Sequence, residues 1–386
     1  MAALFQGFTH LTWQSGVMFL IGGVLIFLAV KKDYEPMLLL PMGFGAIIVN
    51  LPFSSVWSYD GTDGVLQIFY KTGILTEIFP LLIFVAVGAM IDFSPLLKNP
   101  KMFFMGAAAQ FGIFATVVVV VLIGKYIPFF GITDNETLLK IAAPIGIIGA
   151  ADGPTSIFVA TKFAPNLLGP ISVAAYSYMS LVPIIQPPVI KALTTKKERM
   201  IRMDYSDKKI SKTAVILFPI IVTVIAGIVA PICVPLVGML MFGNLIRVCG
   251  VLEKLSQTAQ NELANLVTLL LGITIGATMR AEIFLQWTTL LILVLGFAAF
   301  VFDTAGGILF VKFINLFSKT KINPMVGAAG ISAFPMSARI VHKLGQEEDF
   351  QNFLLMPAVS ANVAGQVASA IAGGMVLAIV PWLLGG

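Results

Sequence analysis

Eleven apolar runs constrain this chain more than any other feature, because most are long enough to cross a bilayer. They fall at approximately 15–30, 37–53, 73–91, 103–124, 139–161, 168–190, 213–241, 263–279, 288–314, 323–343 and 351–384. A hydrocarbon core of about 30 Å takes about 20 apolar residues as a helix. Helices satisfy their own backbone polar groups there, as an open chain cannot. Hydrophobic residues fill 58% of the 386 positions and charged ones only 11%, with a mean hydropathy of +0.97. Soluble chains carry about a quarter charged residues. The expectation is an all-α polytopic membrane protein.

The net charge of +5 is read as topology rather than nucleic-acid binding, because the basic residues collect in particular loops. The longest such loop, 191–212, holds Lys191, Lys196, Lys197, Arg199, Arg202, Lys208, Lys209 and Lys212 and is expected in the cytoplasm. Lys31 and Lys32 mark the first loop as cytoplasmic, and Lys98 and Lys101 the third. The stretch from Ser54 to Tyr70 has acids but no Lys or Arg, which suits the outside. These assignments conflict if 139–161 crosses completely and agree if it enters from outside and turns back. Gly146, Gly149, Gly153 and Pro154 are the residues such a turn would use.

The turn carries a carboxylate, in Ile147-Ile-Gly-Ala-Ala-Asp-Gly-Pro-Thr-Ser156. An ionisable group at membrane depth is costly and marks an ion or proton path. Freed backbone at that depth survives where it lines a cavity. Asp152 is therefore the leading candidate for cation binding or proton transfer. Gly149-Ala-Ala-Asp-Gly-Pro-Thr155 is echoed by Gly327-Ala-Ala-Gly-Ile-Ser-Ala-Phe-Pro335, and Val87-Gly-Ala-Met90 by Ile275-Gly-Ala-Thr278. Lys312, Lys319 and Lys321 place the approach to the second break in the cytoplasm, opposite to the first. Two broken re-entrant hairpins in an inverted repeat of helices are expected, with sites near the midplane. The expected division is 1–72 (an interfacial helix from Leu4, Phe5, Phe8 and Leu11, then two spans), 73–195 (first repeat), 196–257 (basic loop and connecting segment) and 258–386 (second repeat). An even number of crossings is required of 213–262, which Pro231 and Pro235 would permit as two short legs.

Other polar residues at depth add to the list. Tyr178 offers a phenol that can donate a proton or coordinate a cation, or an interface-belt tyrosine. Asn323-Pro-Met-Val-Gly-Ala-Ala-Gly-Ile-Ser332 supplies an amide oxygen, flexible carbonyls and a hydroxyl, donors suited to sodium; its plainer reading is a small-residue packing face. Arg339 is permanently charged and could attract an anion or sit as a snorkelling helix-end residue. Asn362 could add a coordinating amide. Asp303 is a second intramembrane acid, read as an accessory polar group. Cys233 and Cys249 form no metal pattern. His10 and His342 make no helical pair, so a histidine metal centre is not expected, and no ATP-binding phosphate loop occurs. The N-terminus lacks a basic n-region and a clear cleavage site, so no removable signal peptide is expected.

Taken together, these residues resemble the membrane β subunit of the biotin-dependent, sodium-pumping decarboxylases acting on oxaloacetate, methylmalonyl-CoA, glutaconyl-CoA or malonate. The resemblance runs over nearly the whole chain. It rests on Gly88-Ala-Met-Ile-Asp-Phe93, Gly149-Ala-Ala-Asp-Gly-Pro-Thr155, the run from Tyr178 to Pro188, and Ala361-Asn-Val-Ala-Gly365. It implies that carboxybiotin from partner subunits is decarboxylated here, that a proton is consumed, and that sodium is exported. The family's aspartate falls on Asp152 and its tyrosine on Tyr178. Its remaining constellation falls on Asn323, Gly327, Ser332, Arg339 and Asn362. Asp152, Tyr178 and Arg339 are then expected in catalysis, with Arg339 toward carboxybiotin. Asp152, Tyr178, Asn323, Gly327, Ser332 and Asn362 are expected around sodium. The implied partners are a biotin carrier, a carboxyltransferase and a small single-span subunit, in a trimer of β subunits in the inner membrane. No Ala-Met-Lys-Met attachment sequence occurs, so the biotin belongs to another chain. The short N-terminal region leans toward an acyl-CoA member.

A sodium-coupled secondary transporter, an organic-anion symporter or a sodium–proton antiporter, would use Asp152, Arg339 and broken helices on the same physical grounds. A non-catalytic anchor would leave two costly hairpins and buried acids without a purpose.

Overall fold

The computed structural model describes residues 6–126, 134–203 and 209–385. Leu4 and Phe5 of the expected interfacial helix, and Lys208 of the basic loop, lie outside the described residues. What precedes the first span is a four-residue helix, Gln6–Thr9.

The first half begins with a glycine-bonded pair, α1 (Trp13–Lys32) and α2 (Pro36–Val49), in which Gly22 and Gly43 meet backbone to backbone. A helix over Val65–Phe69 runs through a π-helical turn, Tyr70–Ile74, and bends by 62° into α3 (Ile78–Met90). α4 (Phe103–Ala109) and α5 (Phe111–Tyr126) form one rod interrupted at Gln110. α6 (Asn135–Ile148) and α7 (Gly153–Phe163) flank the turn at Asp152, and α8 (Leu168–Leu193) follows. The only strands among the described residues, Ser58–Tyr59 and Thr62–Asp63, form a small hairpin in the loop after α2.

The second half repeats this order with α9 (Lys212–Val229), α10 (Val234–Val248), α11 (Ala264–Thr278), α12 (Trp287–Phe317), a broken pair α13 (Met325–Ala328) and α14 (Met336–Glu348), and α15 (Leu355–Leu383). Even the π-helical turn recurs, at Ala259–Leu263 before α11. The run at 213–241 is indeed two legs, parted by a turn at Pro231–Cys233. Thr223 packs near Gly238 and Gly227 against Val234, so α9 and α10 are antiparallel. Among the described residues, eight helices are long and apolar enough to cross a membrane, the bent Val65–Met90 unit makes a ninth, and α2 is a shorter apolar helix.

Glycine contacts fix the relative sense of the halves. Gly45 and Gly276 pack at one crossing of α2 and α11, and Asn50, beyond Gly45, reaches the Met279 carbonyl, beyond Gly276, so the two helices run parallel. Gly88 and Gly243 pack at one crossing of α3 and α10, and Arg247, one turn beyond Gly243, reaches the Met90 carbonyl, beyond Gly88, so α3 and α10 also run parallel. At each crossing an asparagine bonds the end of the partner helix. Asn50 Nδ2 donates to the Ala46 and Met279 carbonyls, and Asn244 Nδ2 to those of Gly88 and Ile91. Since α2 and α3 run in opposite senses through the loop that joins them, their counterparts α10 and α11 are inverted. None of the four glycines has room for a Cβ, which is why small residues stand there.

Both broken pairs return to the side from which they came. The first starts after α5, and its last turn pairs Lys162 with Glu77 at the head of α3 (2.7 Å). The second starts at Asn323, whose Nδ2 donates to the Arg199 and Ile201 carbonyls, and ends where Glu348 and Asp349 pair with Arg199 and Arg202. Of the 24 Lys and Arg, only Lys71, Lys125, Lys140, Lys162 and Arg280 among the described residues belong to the end of the bundle opposite the 194–203 segment. The protein thus has a basic end and an opposite end, with one hairpin entering from each.

Candidate ion site between the hairpins

The two tips meet. Gly149, Ala150 and Ala151 turn the first hairpin, with Ala151 in the left-handed region at φ 53°. Such a conformation in a residue with a side chain costs about 1–3 kcal/mol and persists where surrounding structure holds it. The Ser332 amide donates to the Ala150 carbonyl at 2.8 Å, binding the second tip to the first. Asp152 caps α7, its Oδ1 accepting from the Thr155 amide at 3.1 Å. Its Oδ2 accepts from Ser369 Oγ of α15 at 2.6 Å and from Ser332 Oγ at 3.3 Å. The two serine hydroxyls are 3.1 Å apart. Gln366 Nε2 bonds the Ser332 carbonyl, and Asn362 Nδ2 donates to the Ile331 carbonyl at 2.6 Å. Asn362, Gln366 and Ser369 occupy one face of α15 at helical spacing, and α15 is the most enclosed long helix, 78% buried against 11% for α9.

Asp152 is 4% exposed, and that remaining surface faces a cavity of about 230 Å³. Ser332, Phe334, Gln366 and Tyr176 share its floor with Asp152, and the walls come from α2, α3, α8 and α11. Glu35, Met90 and Ala264 stand at its basic-end rim. A carboxylate, two hydroxyls and an amide side chain around one point are hard oxygen donors of the kind that bind an alkali cation. No group of three or more His, Cys, Asp or Glu that could hold a metal ion occurs among the described residues. Any cation bound here is held chiefly by neutral oxygens.

The residues singled out in the sequence divide in this conformation. Asp152 and Ser332 are in direct contact, and Asn362 reaches them through the Ile331 carbonyl, with its own Oδ1 buried and unpartnered. Tyr178 is directed elsewhere. Its hydroxyl bonds the Leu293 carbonyl and its ring lies 6.2 Å from that of Phe297 on α12. The tyrosine in the cavity is Tyr176, packed on Gly153 with a buried hydroxyl that has no partner. Residues two apart in a helix point to nearly opposite faces, so the pair serves two surfaces. Asn323 fastens the 194–203 segment, and Gly327 is a close-packing position against Gly307 of α12. Arg339 is exposed on α14, with no ion pair among the described residues. Asp303 is fully buried on α12 against Gly112 and Gly149, and neither carboxyl oxygen has a hydrogen-bond partner.

Sequence comparison matches this architecture to one family over almost its full length. The model for the beta subunit of Na+-transporting oxaloacetate decarboxylase covers residues 14–380. The chain belongs to this family. It is 46% identical to the methylmalonyl-CoA decarboxylase subunit beta of Propionigenium modestum, over 97% of this chain and 96% of that one. It is 46% identical to the oxaloacetate decarboxylase beta chain of Klebsiella pneumoniae, over 98% of both. Its identity to the glutaconyl-CoA decarboxylase subunit beta of Acidaminococcus fermentans is 47%, over 97% and 96%. The chain is therefore a multi-pass membrane protein of the sodium-transporting decarboxylase beta family. Tyr176 and Gln366 in the cavity, and Ser369 bonded to Asp152, are the site residues that sequence reasoning missed. The polar face Asn362–Gln366–Ser369 in an otherwise apolar run was the signal that could have found two of them.

Proposed function

We propose that this beta subunit decarboxylates carboxybiotin delivered by partner subunits, consumes a proton, and couples the reaction to sodium export. The observation that carries the reading is Asp152 at the floor of a cavity, held by hydroxyls from both the second hairpin and α15. Carboxybiotin supplies a carboxyl group whose loss is promoted by protonation. The chain's own part is to hold a cation or a proton on Asp152 and to keep water out. Competition of sodium and a proton for one carboxylate is the simplest coupling of the two flows. Tyr176 stands in the same cavity as a hydroxyl free to move a proton. Ser332 and Asn362 are proposed around sodium in this conformation, whereas Tyr178, Asn323 and Gly327, engaged in other contacts here, would join the ion only if the hairpins move. Arg339, exposed and unpaired on the hairpin that bears Ser332, is the proposed contact for the anionic carboxybiotin. It carries a permanent charge and a planar donor fork suited to a carboxylate.

The basic end is assigned to the cytoplasm of the cell membrane on the positive-inside rule, with 191–212 on that side. The proposed partners are a biotin carrier, a carboxyltransferase and a small single-span subunit around a beta trimer, in which a core moves against a scaffold. An acyl-CoA-linked complex is favoured. Alignments to the methylmalonyl-CoA and glutaconyl-CoA subunits run over 394 and 375 positions, near this chain's own length, against 427–437 for the oxaloacetate chains.

The test is decarboxylation of free carboxybiotin by the reconstituted complex, with sodium varied and sodium uptake into inverted vesicles followed. Sodium-stimulated turnover coupled to uptake is expected, and Asp152→Asn should abolish both. Normal turnover in that variant overturns the assignment of Asp152. Sodium movement indifferent to carboxybiotin would make the chain a secondary transporter.

A further inference from the structure

The cavity above Asp152 contains a second carboxylate. Glu35 lies in the short link between α1 and α2, at the basic-end rim, and among the ionisable side chains that line the cavity it is joined only by Asp152 and Tyr176. Its place in the chain suggests the N-cap of α2, yet its side chain makes no capping bond. It also forms no ion pair among the described residues, although Lys31 and Lys32 lie within four positions of it in the sequence. The backbone is held in the left-handed region, φ 38° at Glu35 and 56° at Asp33. A residue before proline is ordinarily driven to extended conformations, and Pro36 follows Glu35. A strained link that leaves a carboxylate unpartnered at a cavity mouth is expensive unless the carboxylate is used. Burial also pushes the Glu35 carboxyl above its ordinary value, as expected of a group lacking a compensating donor.

We infer that Glu35 is the gateway carboxylate of the ion path, a cation-collecting site at the basic end through which sodium reaches Asp152. The inference rests on reading Asp152 as the sodium site. A cleft with one sign of charge and low-dielectric walls concentrates counter-ions. The path runs from Glu35 past Tyr176 to Asp152, between mostly apolar walls, Leu38, Ile83, Phe84 and Val87, with Thr268 of α11 the polar wall residue. Asp33 is exposed and is not part of the cavity, which makes it the matched control.

The experiment measures the sodium dependence of decarboxylation in the complete complex carrying Glu35→Gln, Glu35→Asp or Asp33→Asn. Glu35→Gln should raise the half-saturating sodium concentration about three- to tenfold with the rate at saturating sodium retained. The difference should shrink as ionic strength is raised with choline chloride. Glu35→Asp, which keeps the charge, and Asp33→Asn should stay near the parent. An unchanged half-saturation in Glu35→Gln, or a lost maximal rate at unchanged half-saturation, overturns the gateway role. Equal effects of Gln and Asp would do the same by assigning the residue to link geometry. Asp152→Asn assayed in parallel separates the two readings. If it retains sodium-stimulated turnover, the site at the end of the path is wrong. If it is inactive while Glu35→Gln is unshifted, only the gateway fails.

Discussion

Ser369 places its hydroxyl 2.6 Å from Oδ2 of Asp152, so the most buried helix of the second half holds the carboxylate of the first half's hairpin. The bond crosses the repeat boundary and bears on the carboxylate at the cavity floor. Ser332 makes the companion contact at 3.3 Å. Removing a hydrogen bond to a charged group costs about 1.5–3 kcal/mol. Ser369→Ala should therefore raise half-saturating sodium by about tenfold or more, and Ser332→Ala by less. Sodium-activation curves of decarboxylation check this. Equal curves for Ser369→Ala and parent would remove Ser369 from the site.

The parallel crossings of α2 with α11 and of α3 with α10 depend on glycines that have no room for a methyl group. Gly276→Ala would drive a Cβ into the Met42 carbonyl, whereas Gly23 on α1 has open space around it. Overpacking of this kind costs about 1–3 kcal/mol. The expected result is a lower thermal midpoint in detergent for Gly276→Ala and Gly88→Ala, with Gly23→Ala near the parent. Equal midpoints for all three would mean that the crossings relax.

Much of this architecture was legible because a membrane restricts the chain to few solutions. The apolar runs give the spans, and the conflict among Lys31, Lys98 and the 191–212 loop already required 139–161 to turn back. The echo of Gly149–Thr155 in Gly327–Pro335 gave the second hairpin. Less legible was the extent of the helix order, in which α1 and α2 are matched by α9 and α10. Their apolar sequences share no motif, and the likeness lies in packing, with Gly45 of α2 on α11 and Gly243 of α10 on α3. Side-chain direction was the least legible. Tyr176 and Tyr178 are equivalent as letters and separate only once helix phase is known. The letter at 323 could not show that in this conformation its amide bonds the Arg199 and Ile201 carbonyls.

The 194–203 segment closes both ends of the second hairpin, through Asn323, Arg199–Glu348 (2.6 Å) and Arg202–Asp349 (2.7 Å), while Glu198 pairs with Lys312 (3.0 Å). The Arg202 guanidinium, with the Gln351 amide, holds the Asp349 carboxyl below its ordinary value. Glu198 is also held low, bonds from the Thr195 amide and Lys312 outweighing partial desolvation. A carboxyl depressed in the folded state contributes stability above its unfolded pKa of about 4, and that contribution is lost as pH falls through the folded value. Limited proteolysis next to Lys196, Lys197 and Arg199 should be slow at neutral pH and quicken below about pH 4. Acid-stable protease should be used for the low-pH arm. Asn323→Ala should quicken cleavage at neutral pH as well. A shift in sodium half-saturation with no change in cleavage would return Asn323 to the ion site.

Tyr176 and Tyr178 offer the sharpest separation of roles. Tyr178 is tied to the Leu293 carbonyl of α12, so Tyr178→Phe removes a bond between α8 and α12 and leaves the cavity lining intact. A single buried hydrogen bond is worth about 0.5–1.5 kcal/mol net, which should appear as a small fall in thermal midpoint. Tyr176 has a buried hydroxyl without a partner, so Tyr176→Phe should cost little stability. Its effect should fall instead on the ratio of sodium moved to carboxybiotin consumed, because the only hydroxyl on the α8 side of the cavity is gone. Paired measurements of uptake and decarboxylation in both variants decide the matter. A changed ratio in Tyr178→Phe with an unchanged one in Tyr176→Phe would mean that α8 turns during the cycle and presents its other face to the ion.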